Sequence, residues 1–155
     1  GTMARETIPT LIREYVDPGA VVLSFKHLPL PIHALAPGAA ASTVCAFQQG
    51  KFWQMHDRLF TKPVRLEESH LRSAAREIGI DLASYDSCRA GQASSRIVEE
   101  DLDEAGALGV SGTPTFFIGS LERRDRVRVT DVLAGARPLS DFKRILDRLL
   151  EGASQ

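Results

Sequence analysis

The sequence predicts an α/β fold in one domain, and three patterns carry that reading. Helix-forming segments follow one another from residue 36 to 108 with no strand pattern among them. That block is flanked by segments of strand character, residues 21–25 before it and residues 115–130 after it. The chain then closes on Leu139, Phe142, Ile145, Leu146 and Leu149, spaced as one face of an amphipathic helix. Helices gathered between two β segments predict an all-helical insertion into a mixed core rather than a separate domain. No linker composition and no internal repeat argues otherwise. The expected layout is a single domain over 1–155, with a helical insertion at about 36–108 and a core built from 5–35 and 109–152.

Length and composition set the outer limits. At 155 residues, 43% hydrophobic and 25% charged, the chain has the composition of an ordinary globular domain and enough residues to bury a real core. A net charge of −1 gives no global field for nucleic acid or an anionic membrane. No apolar run approaches the ~20 residues of a membrane span, and no charged start followed by an apolar core marks a signal peptide.

The elements follow in order. Ile8, Leu11, Ile12 and Tyr15 fall at i, i+3, i+4 and i+7, which predicts a helix over 5–16. Pro9 is compatible with a start near Thr7, because first-turn amides have no intrahelical partner. Asp17-Pro-Gly19 stops it. Val21-Val-Leu-Ser-Phe25 is a nearly continuous apolar run, as expected of a strand covered on both faces. The alanine-rich segment 36–49 is a good helix former that Gly50 ends. A second helix covers 51–60, with Phe52, Met55, Leu59 and Phe60 as its stripe and His56 beside it. A third covers 67–78, with Leu71, Ala74, Ala75 and Ile78 inward. Asp81 caps a fourth that carries Leu82, Tyr85 and Cys88 and closes near Gly91. The longest, 92–108, sets Val98, Leu102 and Ala105 on one face. After a strand opening at Thr115 and a turn near 121–125, Arg126-Val-Arg-Val-Thr130 alternates strictly and predicts a half-exposed strand returning as a hairpin.

Chemistry concentrates at Gly109-Val-Ser-Gly-Thr-Pro-Thr-Phe-Phe-Ile118. Gly109, Ser111 and Gly112 are turn residues, and Pro114 sits where a strand tolerates proline, at its first position. Frequency alone favours a trans bond before Pro114, since only about 5–6% of X-Pro bonds in folded proteins are cis. The two cysteines, Cys45 and Cys88, fit either one structural disulfide or two buried thiols. His27, His33, His56 and His70 lack metal-ligand spacing, so no zinc site is readable. His56 is expected as a satisfied, partly buried histidine, and His27 and His33 as loop residues. Arg123, Arg124, Arg126 and Arg128 alternate with Glu122, Asp125 and Asp131 and read as a solvated hairpin; nucleic-acid binding would want aromatic neighbours. Lys51-Phe-Trp53 reads as core and helix start.

Three of these blocks carry a resemblance. Val110-Ser-Gly-Thr-Pro-Thr-Phe-Phe117 resembles the cis-proline loop of DsbA-like thiol-disulfide oxidoreductases, which have a thioredoxin fold. Phe25-Lys-His-Leu-Pro-Leu-Pro-Ile-His33 resembles the end of a sheet strand and its loop in that family. Gln49-Gly-Lys-Phe-Trp-Gln-Met-His-Asp-Arg-Leu-Phe60 resembles a helix of its insertion. The blocks stand in family order, from about residue 5 to near the C-terminus. The resemblance implies a DsbA-type thioredoxin-like fold and disulfide exchange on secreted, unfolded or reduced protein substrates. It also implies a redox recycling partner, an extracytoplasmic or periplasmic location, and no cofactor beyond the enzyme's own cysteines. It assigns Val110, Thr113 and Pro114 to substrate binding, and Cys45 with Cys88 to a structural disulfide. His27 and His33 would lie within reach of the redox site.

The family's Cys-X-X-Cys is absent from this sequence. A thioredoxin-type reaction needs a thiolate of lowered pKa at a helix N-terminus and a second cysteine to resolve the mixed disulfide. The expectation is an N-terminally truncated oxidoreductase, lacking its first core strand and inactive as it stands. The alternative is a redox-dead binding module, or a relative of the glutathione-using isomerases and transferases of this fold. Loss of a central strand predicts that 21–26 and 115–119 pair directly or that another chain covers the gap, with a homodimer across exposed sheet edges preferred.

Overall fold

The computed structural model describes residues 3–61, 65–123 and 126–153. They form two compact units, Phe25–Val110 and the pair of segments Gly1–Ser24 with Ser111–Gln155.

In the discontinuous unit, the chain is helical from Met3 to Val16. Only α1, Ile8–Leu11, is regular; wider π-type turns flank it at Met3–Thr7 and Ile12–Val16. Pro9 accounts for the irregularity. It has no amide to donate, and its ring crowds the carbonyl four residues back, so the helix is uneven where it passes through this proline. The helix therefore starts four residues earlier than Thr7, the start the proline suggests. Thr115–Arg123 (β1) and Arg126–Ala134 (β2) form an antiparallel hairpin, with Phe116 opposite Leu133 and Gly119 opposite Val129. The strands run past the turn expected at 121–125, of which residues 124 and 125 lie outside the described residues. A helix over Leu139–Ala153, the last in the chain, packs on one face of the hairpin. The core gathers Met3, Leu11, Tyr15 and Phe142, with Phe116, Ile118 and Leu133 from the hairpin. The opposite face of the hairpin leaves Phe117, Leu121, Val127, Val129 and Val132 exposed.

The strand expected at residues 21–26 does not form. Val21 packs into this core and donates its amide to the Tyr15 carbonyl, but Val22 is 74% exposed. Among the described residues the sheet is the two-stranded hairpin alone, so neither this segment nor the outer edge of β1 finds the direct pairing expected of them. An apolar run becomes a strand only when a neighbour supplies the ladder.

Tyr15 joins the two ends of this unit. Its hydroxyl donates to Asp147 Oδ1 at 2.7 Å. Burial and that carboxylate push its pKa up to about 12. Burial also raises Tyr85 in the other unit. The fold thus favours both phenols neutral, whereas the unfolded chain loses those protons near pH ~10. Their contribution is complete below that value and is lost as pH rises past it, for Tyr15 toward about 12. In a spectrophotometric titration at 295 nm, neither of the two tyrosines should ionise at the ordinary value, while the protein in guanidinium should give one midpoint near ~10. A native midpoint near that value for both would show the Tyr15–Asp147 bond to be absent in solution.

Among the described residues the regular elements of the continuous unit are all helices: α2 Ala36–Phe47, α3 Phe52–Leu59, α4 Glu68–Glu77, α5 Leu82–Ala90 and α6 Ala93–Ala107; the helix over Leu139–Ala153 is α7. Pro37 lies in the first turn of α2, where its missing amide costs nothing. The end of α4 shows how these helices stop. Gly79 takes a φ of 74°, its amide donates to Arg76 and that of Ile80 to Ala75, while Ile80 packs back on Ala74 and Ala75. Gly50 and Gly109 end α2 and α6 with the same pair of bonds. Asp81 Oδ1 accepts the Ser84 amide and caps α5. Gln49 clasps the backbone of Asp81 from both sides, donating to its carbonyl and accepting its amide. The core is Cys45, Ala46, Met55, Ala74, Ala75, Ile80 and Tyr85, with a buried 2.6 Å hydrogen bond between Ser42 Oγ and Tyr85 Oη. Cys45 and Cys88 are joined by a disulfide, which ties α2 to α5.

Candidate functional site

The Gly109–Ile118 segment divides at the unit boundary. Val110 closes α6, its amide donating to Ala105, and is half-buried. In the other unit, the Thr113–Pro114 bond is cis and Thr113 is exposed. Two hydrogen bonds brace this turn: Thr115 Oγ1 donates to the Gly112 carbonyl at 2.8 Å, and the Gly135 amide donates to the Pro114 carbonyl at 2.8 Å. Thr113 is thus an exposed residue of a braced turn, two positions before β1 begins.

A second cluster lies wholly within the helical unit. Phe25 packs on Phe52 at 5.2 Å and on His56 at 5.5 Å between ring centroids, and meets Trp53 edge-on at 6.5 Å. His27 packs edge-on against Phe25 and Phe52. On the other side the segment is held by α6. Asp101 Oδ2 accepts the His27 amide at 2.8 Å, and Lys26 Nζ bridges Asp101 Oδ1 at 2.9 Å and Glu104 Oε2 at 2.8 Å. The two carboxylates hold the Lys26 ammonium above its ordinary pKa, and burial pushes the His27 imidazole below its own.

His27 is therefore a buried residue, 8% exposed, rather than an ordinary loop histidine. His56 is buried as expected of a satisfied histidine, with Asp57 Oδ1 at 2.9 Å from its Nδ1. His33 is exposed. Asp101 was not singled out by the sequence, which marked Val98, Leu102 and Ala105 as the inner face of α6. Its signal was its place on that face, three residues after Val98, where an acid is buried only if something pairs with it. Arg126 is exposed, Arg128 pairs with Glu122, and Arg124 lies outside the described residues. Among the described residues no cluster of three His, Cys, Asp or Glu side chains is arranged to hold a metal ion.

Neither sulfur is available as a thiolate, since both cysteines are in the disulfide. The arrangement sets an exposed Thr113 and a cis peptide bond just before β1.

A hairpin and terminal helix joined to a long helical insertion, with a proline loop opening the hairpin, define a thioredoxin-type domain of the DsbA kind. The family profile of the DSBA-like thioredoxin domain matches residues 20–147, and the chain belongs to that family. Alpha-DsbA1 of Wolbachia pipientis is similar in structure, with a TM-score of 0.78 and 21% identity over 97% of this chain and 79% of that one. Curated relatives carry a different name. Na(+)/H(+) antiporter NhaA 3 of Salinispora tropica is 34% identical over 111 residues, 71% of this chain and 17% of that protein. Na(+)/H(+) antiporter NhaA of Herminiimonas arsenicoxydans is 38% identical over 111 residues, 70% of this chain and 18% of that protein. The chain spans about a fifth of the length of the antiporters it matches. Among the described residues no helix is long and apolar enough to cross a membrane.

Proposed function

We propose that this chain is the substrate-presenting part of a thiol-disulfide exchange domain, whose reactive thiol is supplied by residues other than its own. The observation that carries the reading is membership of the DSBA-like family over 20–147, in a chain whose two cysteines are both tied up. Thr113 binds an extended substrate segment through its backbone, in the manner of strand addition, with Pro114 shaping the turn. The substrates are reduced or unfolded proteins, outside the cytoplasm, and a separate redox partner recycles the domain. Self-association through the open edge of β1 belongs to the same reading. So does the view that this chain is inactive alone.

The antiporter names describe whole proteins of which this chain covers a fifth. What is shared is a domain-sized segment, and ion exchange is not carried over to it. The matches do favour one refinement: the domain is portable and is borne by longer chains.

The test has two arms. The purified chain should leave the rate of insulin reduction by dithiothreitol unchanged; turnover above background would overturn the assignment of the thiol to other residues. Titration with an unstructured cysteine-containing peptide should shift the Thr113 amide resonance, and Thr113→Arg should weaken binding at least tenfold. Binding that ignores Thr113 would remove the substrate-presenting role.

A further inference from the structure

Residues 25–27 have no regular structure, yet they are gripped from two sides. On α6 the grip is Asp101, itself 6% exposed, with one oxygen on the His27 amide and the other on Lys26 Nζ. On α3 it is a set of rings, Phe52 beneath Phe25 and His27, and Trp53 and His56 beside Phe25. We propose that this segment is an acid-sensitive latch, seated on α3 and α6 while the His27 ring is neutral and released when that ring takes a proton.

A charged His27 would gain little where it sits. Asp101 would attract it, but both its oxygens are already committed, to Lys26 and to the backbone of His27 itself. Lys26 would repel it, and Glu104 is engaged with Lys26. From α3 the ring meets Phe52, and His56 with Asp57 on its Nδ1 stands beyond that ring. No described residue offers the His27 ring a hydrogen bond, and at 8% exposure water reaches little of it. A proton there is poorly hydrated and only partly offset by Asp101, which disfavours the seated form. The sign follows. His27 titrates lower when seated than the ordinary ~6.5, so the seating is complete above that value and is lost as pH falls through the lower, seated value. Release would uncover Phe52 and the buried ring of His56, an apolar floor that the seated segment hides.

The single tryptophan of the chain, Trp53, lies in this cluster and reports on it. Histidine ring resonances, the His27 amide and Trp53 emission are followed on the full chain from about pH 8 to about pH 4.5. His27 should titrate below ~6.5. Together with it, Trp53 emission should shift and the protection of the His27 amide against exchange should fall at least tenfold, although intrinsic exchange slows toward acid. His27→Phe keeps a ring and removes the proton site, and should abolish the transition; His56→Gln should keep it at the same midpoint. If His27→Phe does not fold, His27→Gln and the wild-type ring titration decide. A His27 that titrates at or above the ordinary value overturns the proposal. So does a transition that survives either His27 substitution, or one that only His56→Gln removes.

Discussion

Replacing Cys45 and Cys88 together by alanine is expected to cost about 4 kcal/mol, because their bond closes a loop across a sequence separation of 43. The loop-entropy account puts the gain in the unfolded chain, whose freedom the cross-link removes, so the substituted protein should keep its helices at neutral pH and unfold earlier. With a urea dependence of about 2 kcal/mol/M, the midpoint should fall by about 2 M. Far-UV dichroism in urea measures it, and adding reductant to the wild type should reproduce most of the loss. A shift equivalent to less than ~1 kcal/mol would mean that the unfolded chain already holds α2 and α5 close together. Part of the cost is local, since Cys45 is 1% exposed within the core, and alanine leaves a small void there.

Gly119→Ala should be the most damaging single methyl in the hairpin. A Cβ at Gly119 would fall 1.9 Å from the Arg128 carbonyl oxygen, 2.7 Å from its carbon and 2.9 Å from Val129 Cα. All three are backbone atoms of the partner strand, so no rotamer change relieves the clash. The strand register is already shifted at Ile118/Gly119, and the close approach belongs to that irregularity. Overpacking of this kind costs about 3 kcal/mol or more. Hydrogen exchange across β1 and β2 should speed up sharply in the variant. Ser120→Ala, one residue on and exposed, is the control and should change little. A Gly119→Ala protein of wild-type stability would show that the two strands can separate there at no cost.

The helical unit was legible because its signals are local. Each helix carries its own period, three of the five have a stop at Gly50, Gly79 or Gly109, one has a cap at Asp81, and none needs a distant residue to be read. The hairpin was legible for the same reason, from the alternation of 126–130. Residues 21–26 were misread because an apolar run states what it would bury and not whether a ladder awaits it. At the site, the Thr113–Pro114 turn was found from its glycines and proline. The grip of Asp101 on residues 26 and 27 spans 75 and 74 positions in sequence, and the place of Asp101 on α6 does not say which residues it holds, so the burial of His27 was missed with it. The disulfide stood open on the residues themselves, since two cysteines so far apart reveal pairing only through the fold.

The bond between Cys45 and Cys88 also changes the connectivity of the chain. With it in place, α3 and α4 belong to a closed ring, and the rest of the polypeptide hangs from that ring as two tails. Gln49 fastens the ring a second time from inside, on the backbone of Asp81. A single cut anywhere in the ring would open it without dividing the molecule, and both pieces would stay joined through sulfur. The helical unit is thereby protected by topology as well as by energy: damage inside the ring leaves its two halves tethered, with the core still in reach.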